Sequence, residues 1–286
     1  MTQQAMFGGG WTQRKLDVLK KYLQAYTKIL KRNPRAQHYS ITYVDAFAGR
    51  GTLRRPALGG LAKSLPELLE NEEEFRKGSV RRALEVDPPF DKYVFIEKDA
   101  KKCNELQAIS TDFPNRHVKI IEDANGALLE WCRDLDQKSE RAVVFLDPFG
   151  ASVKWEVITA LGRTRAVDLR VLFPYSAVNR MLVRNRKPPK SWAQRLTSVF
   201  GTKDWEREFY STTAFQSIRD STRIITDFYV KRLREEFVAV SDPFPMHNSN
   251  GSLMFIMLFF AAANERSAKT GLKIANDIIG KELDLS

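Results

Sequence analysis

This chain is poor in the residues that build cross-linked or metal-held scaffolds. It has two cysteines, Cys103 and Cys132, in 286 residues, which excludes a disulfide framework. Both fall in helix-like segments, where a small packing residue is a simpler reading than a nucleophile. Three scattered histidines do not make a zinc site, and no metal is expected. The longest apolar run, Leu253 to Ala263, is eleven residues, far short of the roughly 20 that a membrane helix needs. It reads as a buried strand. No basic start followed by an apolar stretch marks a leader, and there is no internal repeat or low-complexity linker. These absences predict a soluble, cytoplasmic chain with no membrane partner.

What is abundant is positive charge and apolar bulk. A formal charge of +11 favours a polyanion such as nucleic acid, RNA or DNA, because Lys and Arg neutralise phosphates and release counterions. With 43% apolar residues and 18 Phe, the chain can bury a sizeable core.

Leu16, Leu19, Tyr22, Leu23, Tyr26, Ile29 and Leu30 recur at three- and four-residue spacing. That predicts a first amphipathic helix, with Thr12 as its N-cap and Asn33-Pro34 as its stop. An apolar strand, Ile41 to Val44, then runs into Asp45-Ala46-Phe47-Ala48-Gly49-Arg50-Gly51. Two glycines one residue apart allow a backbone to come close to a ligand, although a plain strand-to-helix turn has the same look.

Four further strands follow. Tyr93 to Ile96 ends at Glu97, Val118 to Ile121 ends at Asp123, and Arg141 to Leu146 ends at Asp147-Pro148-Phe149-Gly150. The fifth strand begins at Asp168. A short helix near Ser64 to Leu69 is expected between the first two strands, and others over Ala100–Ser110, Ala124–Cys132, the 205–237 stretch and Ala268–Leu283. Phe237 to Val240 and Ser252 to Ala263 complete the strands, with Asp242-Pro243-Phe244-Pro245 between them expected as a loop. The tight link between these last two strands predicts an antiparallel pair.

Each acid has an ordinary alternative. Asp123 could cap the next helix as well as meet a ligand, and Asp147-Pro148 could be a simple turn. As a series they say more, because ligands of open α/β sheets bind beyond the carboxyl ends of the strands. An acid ending the second strand, here Glu97, suits two ribose hydroxyls. Its distance in sequence from the glycine loop exceeds the usual twenty or so residues, which requires an insertion over about 54–91. A dinucleotide fingerprint fails at Arg54, where a third glycine or alanine would stand. At the fourth strand, Asp147 and a carbonyl fixed by Pro148 could both accept from one amine, with Phe149 offering a stacking face.

Between Ser176 and Lys203 lie seven basic residues, Arg180, Arg184, Arg186, Lys187, Lys190, Arg195 and Lys203, and no acid. With Trp192 among them, the stretch reads either as a nucleic-acid surface or as an ordinary solvated one. We expect one domain, 1–286, with insertions at about 54–91 and 176–235.

The Tyr43–Gly51 stretch resembles the first motif of class I S-adenosylmethionine-dependent methyltransferases. Glu97, Asp123 and Asp147-Pro148-Phe149-Gly150 resemble the second, third and fourth. More closely, the chain resembles the bacterial three-Cys-motif partner family, through Trp11-Thr12, Lys15-Leu16, Asp45-Ala46-Phe47-Ala48-Gly49, Phe145 to Gly150, and the C-terminal Asn250-Gly251 strand and helix. The resemblance implies a Rossmann-like α/β methyltransferase fold, with a mostly parallel seven-stranded sheet and an antiparallel last strand. It implies S-adenosyl-L-methionine as cofactor, bound by Asp45, Phe47, Gly49, Gly51, Glu97 and Asp123, and a separate three-Cys-motif protein as partner. Asp147-Pro148-Phe149-Gly150 is also similar to the fourth motif of tRNA guanine-N2 methyltransferases and, more loosely, of adenine-N6 enzymes. That implies an amine on a nucleic-acid base as methyl acceptor, with Asp147, Pro148 and Phe149 as catalytic residues.

Overall fold

The computed structural model describes residues 10–46, 78–122, 125–147, 153–183, 186–210, 218–247 and 253–283. The first helix, α1 (Gly10–Arg32), presents Leu16, Leu19, Tyr22, Leu23 and Tyr26 to the core, while Ile29 in its last turn is 38% exposed. It starts two residues before the expected Thr12 cap, so Thr12 stands inside the first turn; the glycine at position 10 is tolerated there because the helix ladder begins only later. Asn33 ends it, its side chain accepting from the Arg35 N–H.

Strand β1 (Ser40–Ala46) is followed, after the undescribed stretch, by helix α2 (described over 78–84) and β2 (Lys92–Ile96). Then come α3 (Ala100–Thr111), β3 (Val118–Ile121), α4 (Asn125–Asp134), β4 (Glu140–Leu146), α5 (Trp155–Arg163) and β5 (Val167–Phe173). Four helices, α6 (Tyr175–Met181), α7 (Lys190–Phe200), α8 (Asp204–Tyr210) and α9 (Ile218–Glu236), separate β5 from β6 (Ala239–Val240). Strands β7 (Pro243–His247) and β8 (Leu253–Ala262) and helix α10 (Glu265–Leu283) complete the order.

The sheet order is β3-β2-β1-β4-β5-β8-β6, with β7 also paired to β8. Strands β1 to β5 are parallel, and β8 runs antiparallel to β5. Strands β6 and β7 follow one another along the other flank of β8, so eight segments fill seven positions. This bears out the expected Rossmann-like methyltransferase-type sheet with its reversed last strand. The stretch expected as a loop at 242–245 is a correction: from Pro243 it is an edge strand. Two prolines two residues apart are compatible with a ladder when both nitrogens face away from β8, the neighbour with which β7 pairs among the described residues.

Side chains alternate across the sheet, and each face has its own core. Tyr43, Phe95, Phe145 and Leu172 meet α1, α2, α3 and α10. Val44, Ile96, Val144 and Phe173 meet α4, α5 and the α6–α9 group. On this second face α7 ends at Gly201, which is left-handed at φ +70° and donates its N–H to the Thr197 carbonyl. A Cβ there would lie 2.2 Å from Trp155. The glycine both turns the chain and lets α7 close on α5. Among the described residues no helix is long and apolar enough to cross a membrane.

Candidate functional site

Strand β1 lies between β2 and β4. From it the chain order runs outward through β2 and β3 on one side and through β4 and β5 on the other. The gap between β1 and β4 is therefore the topological switch point, where open α/β sheets form a ligand crevice. Ala46, the last residue of β1, is in register with Ile96 on one neighbour and Leu146 on the other. Glu97 and Asp147 each stand one residue beyond that row, on either side of the β1 exit. Two strand spacings put their backbones about 10 Å apart. Two of the predicted acids are thus brought to one edge.

Asp45 is one residue back from that edge. It is in register with Phe95 and Phe145, whose rings belong to the core under α1. The residue is 1% exposed. The Tyr43 hydroxyl donates to its Oδ2 at 3.3 Å and the Ser79 hydroxyl at 3.2 Å. Burial, and next the Asp45 carboxylate itself, push the Tyr43 phenol well above its usual range, so it keeps its proton and stays a donor. Ser79 reaches this place because Gly78 allows α2 to lie against α1: a Cβ on Gly78 would come within 2.5 Å of Leu16.

Glu97 is fully buried, and its Oε1 accepts the Asp99 N–H at 2.8 Å. Asp99 in turn caps α3 through the N–H groups of Lys101 and Lys102. The carboxylate therefore sits in a turn whose geometry is fixed by the helix behind it. Asp147 is half-buried where β4 ends, and its charge is felt by Tyr43.

The sequence reading missed a second polar group on the same sheet face. Asp168 and Arg170 of β5 are 7% and 2% exposed. The Arg170 guanidinium lies over the Tyr22 ring, 2.9 Å from its centre, and the Tyr22 hydroxyl makes a long hydrogen bond of 3.5 Å to Asp168. Burial pushes the Asp168 carboxyl up to about 7, against the pull of Arg170. The only available signal was the i, i+2 spacing of two charges inside a strand.

The remaining predicted residues divide in two. Arg180, Arg186, Lys187, Lys190 and Arg195 are exposed on or between α6 and α7, and Lys203 is exposed between α7 and α8. Lys187 makes an ion pair with Glu206 at 3.7 Å. Trp192 is half-buried, packed against the core of the second face. Phe47, Gly49, Gly51, Asp123, Pro148, Phe149 and Arg184 lie outside the described residues, as does the helix expected near 64–69. Among the described residues no group of three His, Cys, Asp or Glu could hold a metal ion.

No family model matches the chain, and no curated protein matches it. Among solved structures it is similar to protein LPL1258 from Legionella pneumophila str. Philadelphia 1, of the DUF519 family model. That pair shares 13% identity over 93% of this chain and 90% of the other, at a TM-score of 0.47. It is also similar to the CMeT domain of the citrinin polyketide synthase, at 13% identity over 89% of this chain and 52% of the other, with a TM-score of 0.36. Likenesses this distant say nothing about activity. The fold rests on the strand order and register themselves.

Proposed function

We propose that this protein uses S-adenosylmethionine to methylate an exocyclic amine of a nucleic-acid base. The observation that carries the reading is the register that brings Glu97 and Asp147 to the carboxyl edge of the switch point, with Asp45 one residue behind them. The donor set fits the cofactor: a buried carboxylate in a fixed turn suits ribose hydroxyls, and a second buried carboxylate suits an ammonium group. Glu97 would hold the ribose, with Asp123 toward the adenine. Phe47, Gly49 and Gly51 would admit the methionine end, with Asp45 as the charge near its amino group. When bound, the cofactor supplies an electrophilic methyl on a sulfonium.

The chain's own contribution is orientation. Asp147 and the Pro148 carbonyl accept the N–H groups of the acceptor amine, so that its lone pair is presented in one direction, and Phe149 stacks the base. Acceleration comes from positioning and exclusion of water. The exposed cations of α6 and α7 supply the electrostatic surface for the phosphate backbone.

The resemblance to three-Cys-motif partner proteins supports a second reading, in which the chain acts only in complex with such a protein. Methylation of RNA or DNA by the isolated chain excludes it. Titration calorimetry with S-adenosylmethionine and S-adenosylhomocysteine tests the first reading, with Asp45→Ala and Glu97→Ala as controls. Binding that both substitutions weaken is the expected result. A wild-type chain that binds neither compound removes the enzymatic case.

A further inference from the structure

The amino edge of the sheet carries a second concave surface, away from the switch point. Helices α4 and α5 both run back from the carboxyl edge, so their last turns lie side by side just before β4 and β5 begin. Between them is a cavity of about 540 Å³, within the roughly 300–1,000 Å³ of small-molecule sites. The seven residues of β4 separate the two edges by about 20 Å of extended chain.

Its wall is apolar, and its charges are of one sign. Leu129, Cys132 and Leu135 pack against the core of this face yet are only half-buried, as is Ala160 opposite them on α5. Burial pushes the Cys132 thiol up to about 12, so it stays uncharged. The polar lining is Arg133, Arg163, Gln137 and Thr164, which is two cations and no acid.

Helix ends alone do not account for these cations. An arginine in a last turn commonly complements the helix dipole and reaches the final carbonyls. In α5 those carbonyls are already taken: Leu161 accepts the Thr164 N–H and hydroxyl, and Gly162 accepts the Arg165 N–H. Arg163 is exposed and makes no hydrogen bond or ion pair among the described residues. Arg133 reaches Glu130 at 3.9 Å, with side chains 72% and 73% exposed, a pair worth little. The turn after α5 is fixed. Arg165 holds φ +53°, uncommon for a residue with a Cβ, and its carbonyl accepts from the Asn264 amide at 3.2 Å. The cavity is thus formed in advance, with two guanidinium groups available at its mouth.

We propose that this cavity binds a small amphipathic carboxylate, its head on Arg133 and Arg163 and its apolar body on Leu129, Leu135 and Ala160. The planar guanidinium fork matches a carboxylate through two parallel hydrogen bonds, and the Gln137 amide offers a further donor. A bare inorganic anion would leave the apolar wall in water, and a neutral hydrocarbon would leave both cations unpaired. This site lies at the opposite edge from Glu97 and Asp147 and does not rest on the methyl-transfer reading.

The test is titration of the full chain with octanoate, followed by amide NMR, with 1-octanol and inorganic phosphate as comparison probes. Octanoate is expected to shift the amides of Gln137, Arg163 and Thr164, and each comparison probe to bind at least about 10-fold more weakly. Arg133→Gln/Arg163→Gln is expected to weaken octanoate about 10-fold or more at an unchanged thermal midpoint, because both side chains are exposed. Ala160→Phe fills the cavity and is expected to abolish binding. Four results would overturn the assignment: no octanoate shifts at these amides, 1-octanol binding as tightly as octanoate, phosphate doing so, or wild-type affinity in either variant. Should Ala160→Phe not fold, the double arginine variant, altered only at exposed positions, decides.

Discussion

Gly201 at the end of α7 faces Trp155 at the start of α5 so closely that an added Cβ would lie 2.2 Å from the indole carbons Cδ1 and Cγ. It also holds φ +70°. Gly201→Ala must therefore relieve a left-handed backbone and a steric clash together, for about 2–4 kcal/mol of lost stability. Urea unfolding measures it. A variant as stable as wild type would mean that α7 and α5 do not pack this way.

Trp155 is also held from a third helix. Its indole N–H donates to Glu236 Oε1 at 3.1 Å, and the Thr159 hydroxyl donates to the same oxygen at 2.7 Å. Glu236→Ala leaves two donors without their acceptor and is expected to cost about 1–3 kcal/mol. In a double cycle with Trp155→Phe the two losses should be less than additive. Strict additivity would remove the shared acceptor.

Asp168 gives a pH signature. Burial raises its folded carboxyl to about 7, while in the unfolded chain it releases its proton near the ordinary value of about 3.9. Between those values the folded state holds the extra proton, so its contribution to stability falls as pH rises from about 4 to about 7 and is level above. Asp168→Asn carries no such titration. The expected result is a variant that loses less stability than wild type between pH 4.5 and 8, a window of about 3 pH units read by urea unfolding. Parallel curves for the two proteins would place the carboxyl in an ordinary environment.

For the proposed reaction, Asp147→Ala separates chemistry from binding. Methyl transfer should fall by at least about 100-fold while cofactor affinity stays within about 2-fold. Radiolabel transfer to RNA and DNA, with calorimetry alongside, reads both. Unchanged turnover removes Asp147 from the mechanism.

The cations of α6 and α7 predict how ionic strength acts. Trp192 is half-buried against the core, so backbone neutralisation rather than base stacking should dominate. Affinity for duplex DNA should then fall linearly on a log–log plot against salt, and Lys190→Gln/Arg195→Gln should reduce the slope by about 2. Equal losses for every sequence are expected. A slope unchanged by the double substitution would locate the nucleic-acid surface elsewhere.

Much of the fold could be read from local pattern. The apolar runs before Asp45, Glu97 and Asp147 are strands because each is a short β-prone stretch closed by a polar turn, and the structure aligns their ends. Pattern also puts Tyr43 with Asp45, and Asp168 with Arg170, on one face each, since side chains repeat every two residues. What it does not give is which strands are neighbours. That Tyr22 meets Arg170 and Ser79 meets Asp45 depends on α1 and α2 covering that face, so neither contact was legible. Pro243 and Pro245 misled for a different reason. Proline marks a loop by default, and only the knowledge that this strand is an edge makes it admissible.

That edge has a consequence for the protein in concentrated solution. The outer flank of a sheet is normally a template on which a second chain can add a strand, the first step toward aggregation. Here β7 pairs inward with β8 and carries a nitrogen without hydrogen at two alternate positions, so an incoming strand meets gaps where it needs donors. A sheet with an apolar last strand, Leu253–Ala262, is thereby closed to growth along this border by two covalent rings, without any charge at the positions they occupy.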